Sequence, residues 1–351
     1  MNYNNYNPFE HDYYRESMCK EARRAFSRFH LAIFAYLGIA NAVAVIFEIV
    51  LFAFLGESAT LNLLSNVYVR WLFGVGPMYF IGLPVLYLIV RKMPKCKPQK
   101  GDISLGSFCV FFLIAQAMMY AGNMIGNMFN SIFSALRGNE VSNTTADLVT
   151  DSPIWITVLV AVIIGPIIEE FIFRKLMIDR LARYGTNIAI IVSGISFGLF
   201  HGNFYQFFYS AMLGILLGFI TVKSGNWLYS VLMHMLVNLF GSVLTMPVIN
   251  AILEYEEGMY ILAEGGEVNM RSFLISMMIV FSYSVIQYAF LISGVVLFIL
   301  GVVKYKWFTL KSRAEVNIPR DDVFSVVFAN AGTIIYFIFS IIIFALSIAL
   351  G

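Results

Sequence analysis

The chain has 351 residues, 60% hydrophobic and only 13% charged, with a formal net charge of +2. Soluble domains carry roughly 45–50% apolar and about 25% charged residues, so a soluble enzyme is excluded, and so is disorder, which needs low hydrophobicity and high charge. The small net charge gives no case for nucleic acid, and three cysteines without paired spacing imply no disulfide framework.

What remains is an all-α polytopic membrane helix bundle. Mean hydropathy is +0.79. Residues 1–30 are polar and read as a cytoplasmic N-terminal segment rather than a cleaved signal, because the first apolar run begins only at Leu31. Predicted spans follow at 31–55, 71–90, 107–133, 155–182, 188–203, 205–222, 228–248, 273–303 and 324–350, about nine crossings at roughly 20 residues per crossing. They group into N-terminal transmembrane helices over 31–135, a core over 154–248 and C-terminal transmembrane helices over 272–351.

The charges orient these spans. With the N-terminus in the cytoplasm and sides alternating, all of the 23 Lys and Arg except Arg70, Arg137 and Arg271 fall inside, Lys100, Lys311 and Arg313 among them. That is the bias of a membrane protein whose basic loops stay in the cytoplasm. Gly351 then lies outside, as does an acidic loop at 250–271 that carries Glu254, Glu256, Glu257, Glu264 and Glu267. No loop is long enough for a soluble domain, which usually needs 50 residues or more, so function must reside within the membrane.

Ionisable side chains inside a bilayer cost at least ~2.5–3.5 kcal/mol and are functional candidates for that reason. Glu48 stands alone in the first span. Glu169, Glu170 and Arg174 lie in the fourth, His201 at the end of the fifth, and His234 with Asn238 in the seventh. Glu170 and Arg174 are one helical turn apart and can pair, a structural role. Glu169 is rotated by about 100° and has no local counter-ion. His234 and Asn238 share one face, as do Phe197 and His201. Counted from the cytoplasmic turns, Glu169, His201, His234 and Asn238 sit ~10–21 Å deep, so the four can meet in one layer.

Three motifs follow in order: Glu169-Glu170-x-x-x-Arg174, Phe197-x-x-x-His201 and His234-x-x-x-Asn238. Their order and spacing resemble those of the CPBP intramembrane proteases, a family that covers type II CAAX prenyl endopeptidases and bacteriocin-processing or immunity proteins. Gly214-Ile-Leu-Leu-Gly218 is similar to the small-residue helix which that family places between them. The resemblance implies a CPBP protease-like core and an integral membrane endopeptidase acting on a peptide or membrane-protein substrate. In it, Glu169 as general base and His201 activate water, His234 and Asn238 stabilise the oxyanion, and Glu170, Arg174 and Phe197 shape the site. It implies no cofactor.

Two His and a Glu are also plausible zinc ligands. No H-E-x-x-H pattern is present, so a metal-independent glutamate protease is favoured and zinc stays open. A non-catalytic membrane scaffold or immunity protein is the alternative from another class. A transporter with a midplane ion site is disfavoured by the lack of an inverted repeat. The Ile/Asn/Phe-rich composition suggests a bacterial cell membrane.

Overall fold

The computed structural model describes residues 8–98, 101–310 and 314–350, and no strand occurs among them. Lys100, Lys311 and Arg313, which entered the charge count, and Gly351, assigned to the outside, lie outside the described residues. Nine principal helices follow in order: α1 (Pro8–Leu55), α2 (Val67–Val90), α3 (Leu105–Arg137), α4 (Ile154–Tyr184), α5 (Thr186–Phe200), α6 (Phe204–Ser224), α7 (Leu228–Ala263), α8 (Met270–Val303) and α9 (Ala331–Leu350). Eight are long and apolar enough to cross a membrane, and the 15-residue α5 is the shorter apolar helix among them. The protein is therefore an all-α polytopic membrane bundle.

Three predicted boundaries move. The span predicted over 324–350 breaks after Val327, and α9 begins only at Ala331. Helix α1 begins at Pro8, so most of the polar N-terminal segment continues the first span as helix. Helix α7 resumes at Met246 after a turn at Leu244–Thr245 and runs to Ala263. Most of the predicted acidic outer loop is thus helical, and Ser276 on α8 donates a 2.6 Å hydrogen bond to Glu254 there. A backbone hydrogen-bonded within itself is the stable form in or near lipid, so helices outlast the purely apolar runs.

Contacts at the ends of the bundle reproduce the alternation of sides. At one end Arg15 meets Asp322 at 2.7 Å, Arg183 meets Glu21 and Glu315 at 3.5 Å, Cys96 N–H donates to Asp179 O, and Lys223 Nζ donates to Trp307 O. At the other end Arg70 meets Asp151 at 2.8 Å and Tyr205 OH donates to Val141 O. Every one of these pairs joins segments assigned to one side by the charge count.

Small residues set the closest helix approaches. A Cβ on Gly214 of α6 would sit 2.9 Å from Gly194 Cα on α5, and one on Gly126 of α3 would collide with Phe204 O on α6. Packing between spans gains little from hydrophobicity when the solvent is lipid, so close backbone approach supplies the contact. Two buried clusters result. One joins α1, α4, α5 and α9 through Phe26, Ile33, Phe173, Phe197 and Tyr336; the other joins α3, α6 and α7 through Ile114, Leu217 and Met233.

Candidate active site

The site forms where α4, α5 and α7 meet, and α4 is irregular there for a local reason. Pro166 lacks the N–H that an α-helix interior needs. Around it α4 alternates between α-helical turns (Ile154–Thr157, Gly165–Glu170) and wider π-helical ones (Val158–Ile164, Phe171–Ile178). Such π turns concentrate at functional sites, because they re-aim side chains and carbonyls. Here the carbonyl of Ala161, in the first π segment, accepts a 2.9 Å hydrogen bond from Asn238 Nδ2.

His201 ends up at the bundle interior because α5 stops abruptly beside it. Gly202 takes a φ of 69°, which favours glycine. Asn203 then caps α6, its side chain accepting from Gln206 N–H at 2.9 Å.

The two adjacent carboxylates have different surroundings. Glu170 is fully buried; its Oε2 lies 3.0 Å from Arg174 Nε and its Oε1 accepts from His234 Nδ1 at 3.0 Å. The side chain of Glu169 is 20% exposed, and its Oε2 lies 3.7 Å from His234 Nε2. That separation exceeds a direct hydrogen bond. His234 thus stands between the two carboxylates, presenting a different nitrogen to each.

Arg174 has no exposed surface, and its two terminal nitrogens have no hydrogen-bond partner. Its guanidinium instead stacks 4.7 Å over the ring of Phe197, a cation–π contact worth about 2 kcal/mol when desolvated. Phe197 also meets His201 and His234 edge-on, at 4.9 Å and 5.6 Å between ring centres. It is the apolar hub that fixes both imidazoles and the arginine.

The structure therefore gathers Glu169, Glu170 and Phe197 around His234, with Arg174 against Glu170 and Phe197 and with His201 against Phe197. The pairing differs in one respect from the expectation. His201 Nδ1 donates to Phe197 O at 2.9 Å rather than to Glu169, and it is His234 that faces Glu169. Asn238 sits one turn beyond His234, with one amide hydrogen directed at Ala161. Glu48 is exposed on α1, away from this cluster.

Three tyrosines escaped the sequence reading. Tyr36 on α1, Tyr79 on α2 and Tyr209 on α6 have phenols within electrostatic range of the Glu169 carboxylate. Tyr79 lies in another π-helical turn, Met78–Gly82, next to Pro77. A Pro-Met-Tyr sequence inside a span was the available signal. Among the described residues, no group of three or more His, Cys, Asp and Glu side chains is arranged to hold a metal ion.

Fold and site together define an integral, all-helical membrane protein with a carboxylate–imidazole cluster in its bundle core. Residues 151–240, which carry all three motifs, match the family described as type II CAAX prenyl endopeptidase Rce1-like. A protein of Bacillus subtilis (strain 168) named "Putative membrane peptidase YdiL" is 26% identical over 192 residues, spanning 52% of this chain and 76% of its own length. No solved structure matches the chain. The two matches support a CPBP-family membrane protease.

Proposed function

We propose that the chain is an intramembrane endopeptidase that hydrolyses a peptide bond presented in or near the bilayer, with Glu169 as general base. One observation carries this assignment: of two adjacent acids, Glu170 is fully buried and lies 3.0 Å from both Arg174 and His234, whereas Glu169 keeps 20% of its side chain exposed and has His234 at 3.7 Å as its nearest charged partner among the described residues. A base must reach the proton it removes, directly or through one water. With Nδ1–H of His201 given to Phe197 O, its Nε2 is the basic nitrogen that helps to orient that water. The proton taken by Glu169 passes back from the same carboxyl to the leaving amine. The second amide hydrogen of Asn238 serves the developing oxyanion, and so does His234 when its Nε2 carries a hydrogen beside the one Nδ1 gives to Glu170, since preorganised donors count most there. Glu170, Arg174 and Phe197 hold the imidazoles in place. In this reading the protein needs no cofactor, and its N-terminus lies on the cytoplasmic side of a bacterial membrane.

The test is cleavage of a reporter peptide by protein reconstituted in vesicles. His201→Ala should lower kcat by about 10²–10⁴ with an unchanged melting temperature, and a chelator should have no effect. Loss on chelation with recovery on added zinc replaces this reading by a zinc protease. Undiminished cleavage by the His201 variant removes His201 from the mechanism.

A further inference from the structure

We propose that the N-terminal part of α1 forms a binding site for the phosphate headgroup of an anionic phospholipid, separate from the catalytic cluster and independent of proteolysis. A cavity of about 540 Å³ opens between α1, the end of α2 and the start of α9. Lys20, Arg23, Arg24 and Arg28 line it, with Leu31 and Ile89 as its apolar part. The four cations lie at i, i+3, i+4 and i+8 and so share one face of α1. No carboxylate lines the cavity. Among the described residues none of the four forms an ion pair, and the nearby Asp322 is already held by Arg15 at 2.7 Å.

A basic face on a membrane helix is ordinarily a solvated topology signal. Two features set this one apart. First, the cations converge on a cavity instead of spreading into solvent, and Arg28 Nε donates to Ile89 O at 2.9 Å, which fixes that guanidinium to the wall while its terminal nitrogens remain available. Second, α1 becomes continuously apolar only from Leu31 and α2 ends at Val90, so the cavity flanks the apolar stretches of both helices, the level at which lipid headgroups are expected. Anionic headgroup above and acyl chain below match cationic rim and apolar floor. The start of α9 adds little direct ligation, because Gly332 N–H is given to Ser27 Oγ and Thr333 N–H to Asn330 Oδ1.

The experiment measures lipid retention by native mass spectrometry on the purified full chain, with titrated phosphatidylglycerol or phosphatidylcholine. The wild type should retain phosphatidylglycerol selectively. Each cation near an anionic headgroup is worth about fivefold in affinity, so Arg23→Gln/Arg24→Gln should weaken phosphatidylglycerol binding roughly 25-fold. A charge-matched Lys304→Gln/Lys306→Gln variant should leave it unchanged. Melting temperature in phosphatidylcholine checks that both variants are folded. Equal retention of the two lipids overturns the proposal, as does an equal loss in both variants. Complete displacement of the lipid by millimolar inorganic phosphate overturns it too, since the site would then hold a free anion.

Discussion

Glu169 and Glu170 are neighbours in sequence yet address opposite nitrogens of one imidazole: Glu170 Oε1 lies 3.0 Å from His234 Nδ1, and Glu169 Oε2 lies 3.7 Å from His234 Nε2. The roughly 100° between successive helical residues makes this possible. One acid is turned toward Arg174 and sealed, and the other is left partly open. The same substitution therefore has different consequences at the two positions, although their chemistry is identical.

Replacing each acid by its amide separates the roles. Glu169→Gln should abolish cleavage and leave the melting temperature near that of the wild type, because it removes a partly exposed charge and no packing. Glu170→Gln should lose stability first, since it leaves Arg174 buried without a counter-charge, at about 3–5 kcal/mol. A thermal-shift measurement beside a proteolysis assay reads both. A stable, inactive Glu170→Gln with an active Glu169→Gln would reverse the assignment.

The buried pair gives a second expectation. Arg174→Met alone should destabilise by a comparable amount, because Glu170 is then stranded. The double variant Glu170→Leu/Arg174→Met should regain much of that loss, since apolar replacement of a whole buried ion pair is often neutral. Activity should stay low in both, because His234 loses the acceptor of its Nδ1–H or the group that orients it. A double-variant cycle on melting temperature measures the coupling.

Asn238→Ala should lower kcat by about 10²–10³ with little change in KM, the loss expected for one oxyanion donor. It also frees the Ala161 carbonyl, so some destabilisation of the π-helical turn in α4 should accompany it. An unchanged kcat with a lower melting temperature would make the residue purely structural.

Helix approach is testable away from the site. Gly214→Leu should destabilise by 1–3 kcal/mol or more, because its Cβ would fall 2.9 Å from Gly194 Cα and a longer side chain has nowhere to go. Gly106→Ala, where nothing lies within 4 Å, is the control and should be tolerated. Yield and thermal stability in detergent distinguish them.

Topology is checked by reporter fusions. A fusion after Lys95 should report the cytoplasmic side and one at Glu257 the opposite side, because the intervening spans are odd in number. The same side for both would break the span count.

Composition and charge sufficed to determine the bundle. Backbone groups in lipid are satisfied only in helices or closed barrels, and continuous apolar runs of roughly 20 residues are those of helices; the basic residues divide the loops into the two ends that Arg15–Asp322 and Arg70–Asp151 later join. The Glu-Glu-x-x-x-Arg, Phe-x-x-x-His and His-x-x-x-Asn spacings also put the site residues on common helix faces. Local periodicity could not show how those faces meet. Only the tertiary structure decided that His234, and not His201, stands against Glu169, since that depends on the rotation of α7 relative to α4 and on the π turns around Pro166. It alone revealed that Tyr36, Tyr79 and Tyr209 lie within electrostatic range of the carboxylate, because a tyrosine in a span is ordinary until a charge is found near it. It also decided that four arginines and lysines of α1 converge on one cavity, which required α9, some 300 residues further on, to close its wall.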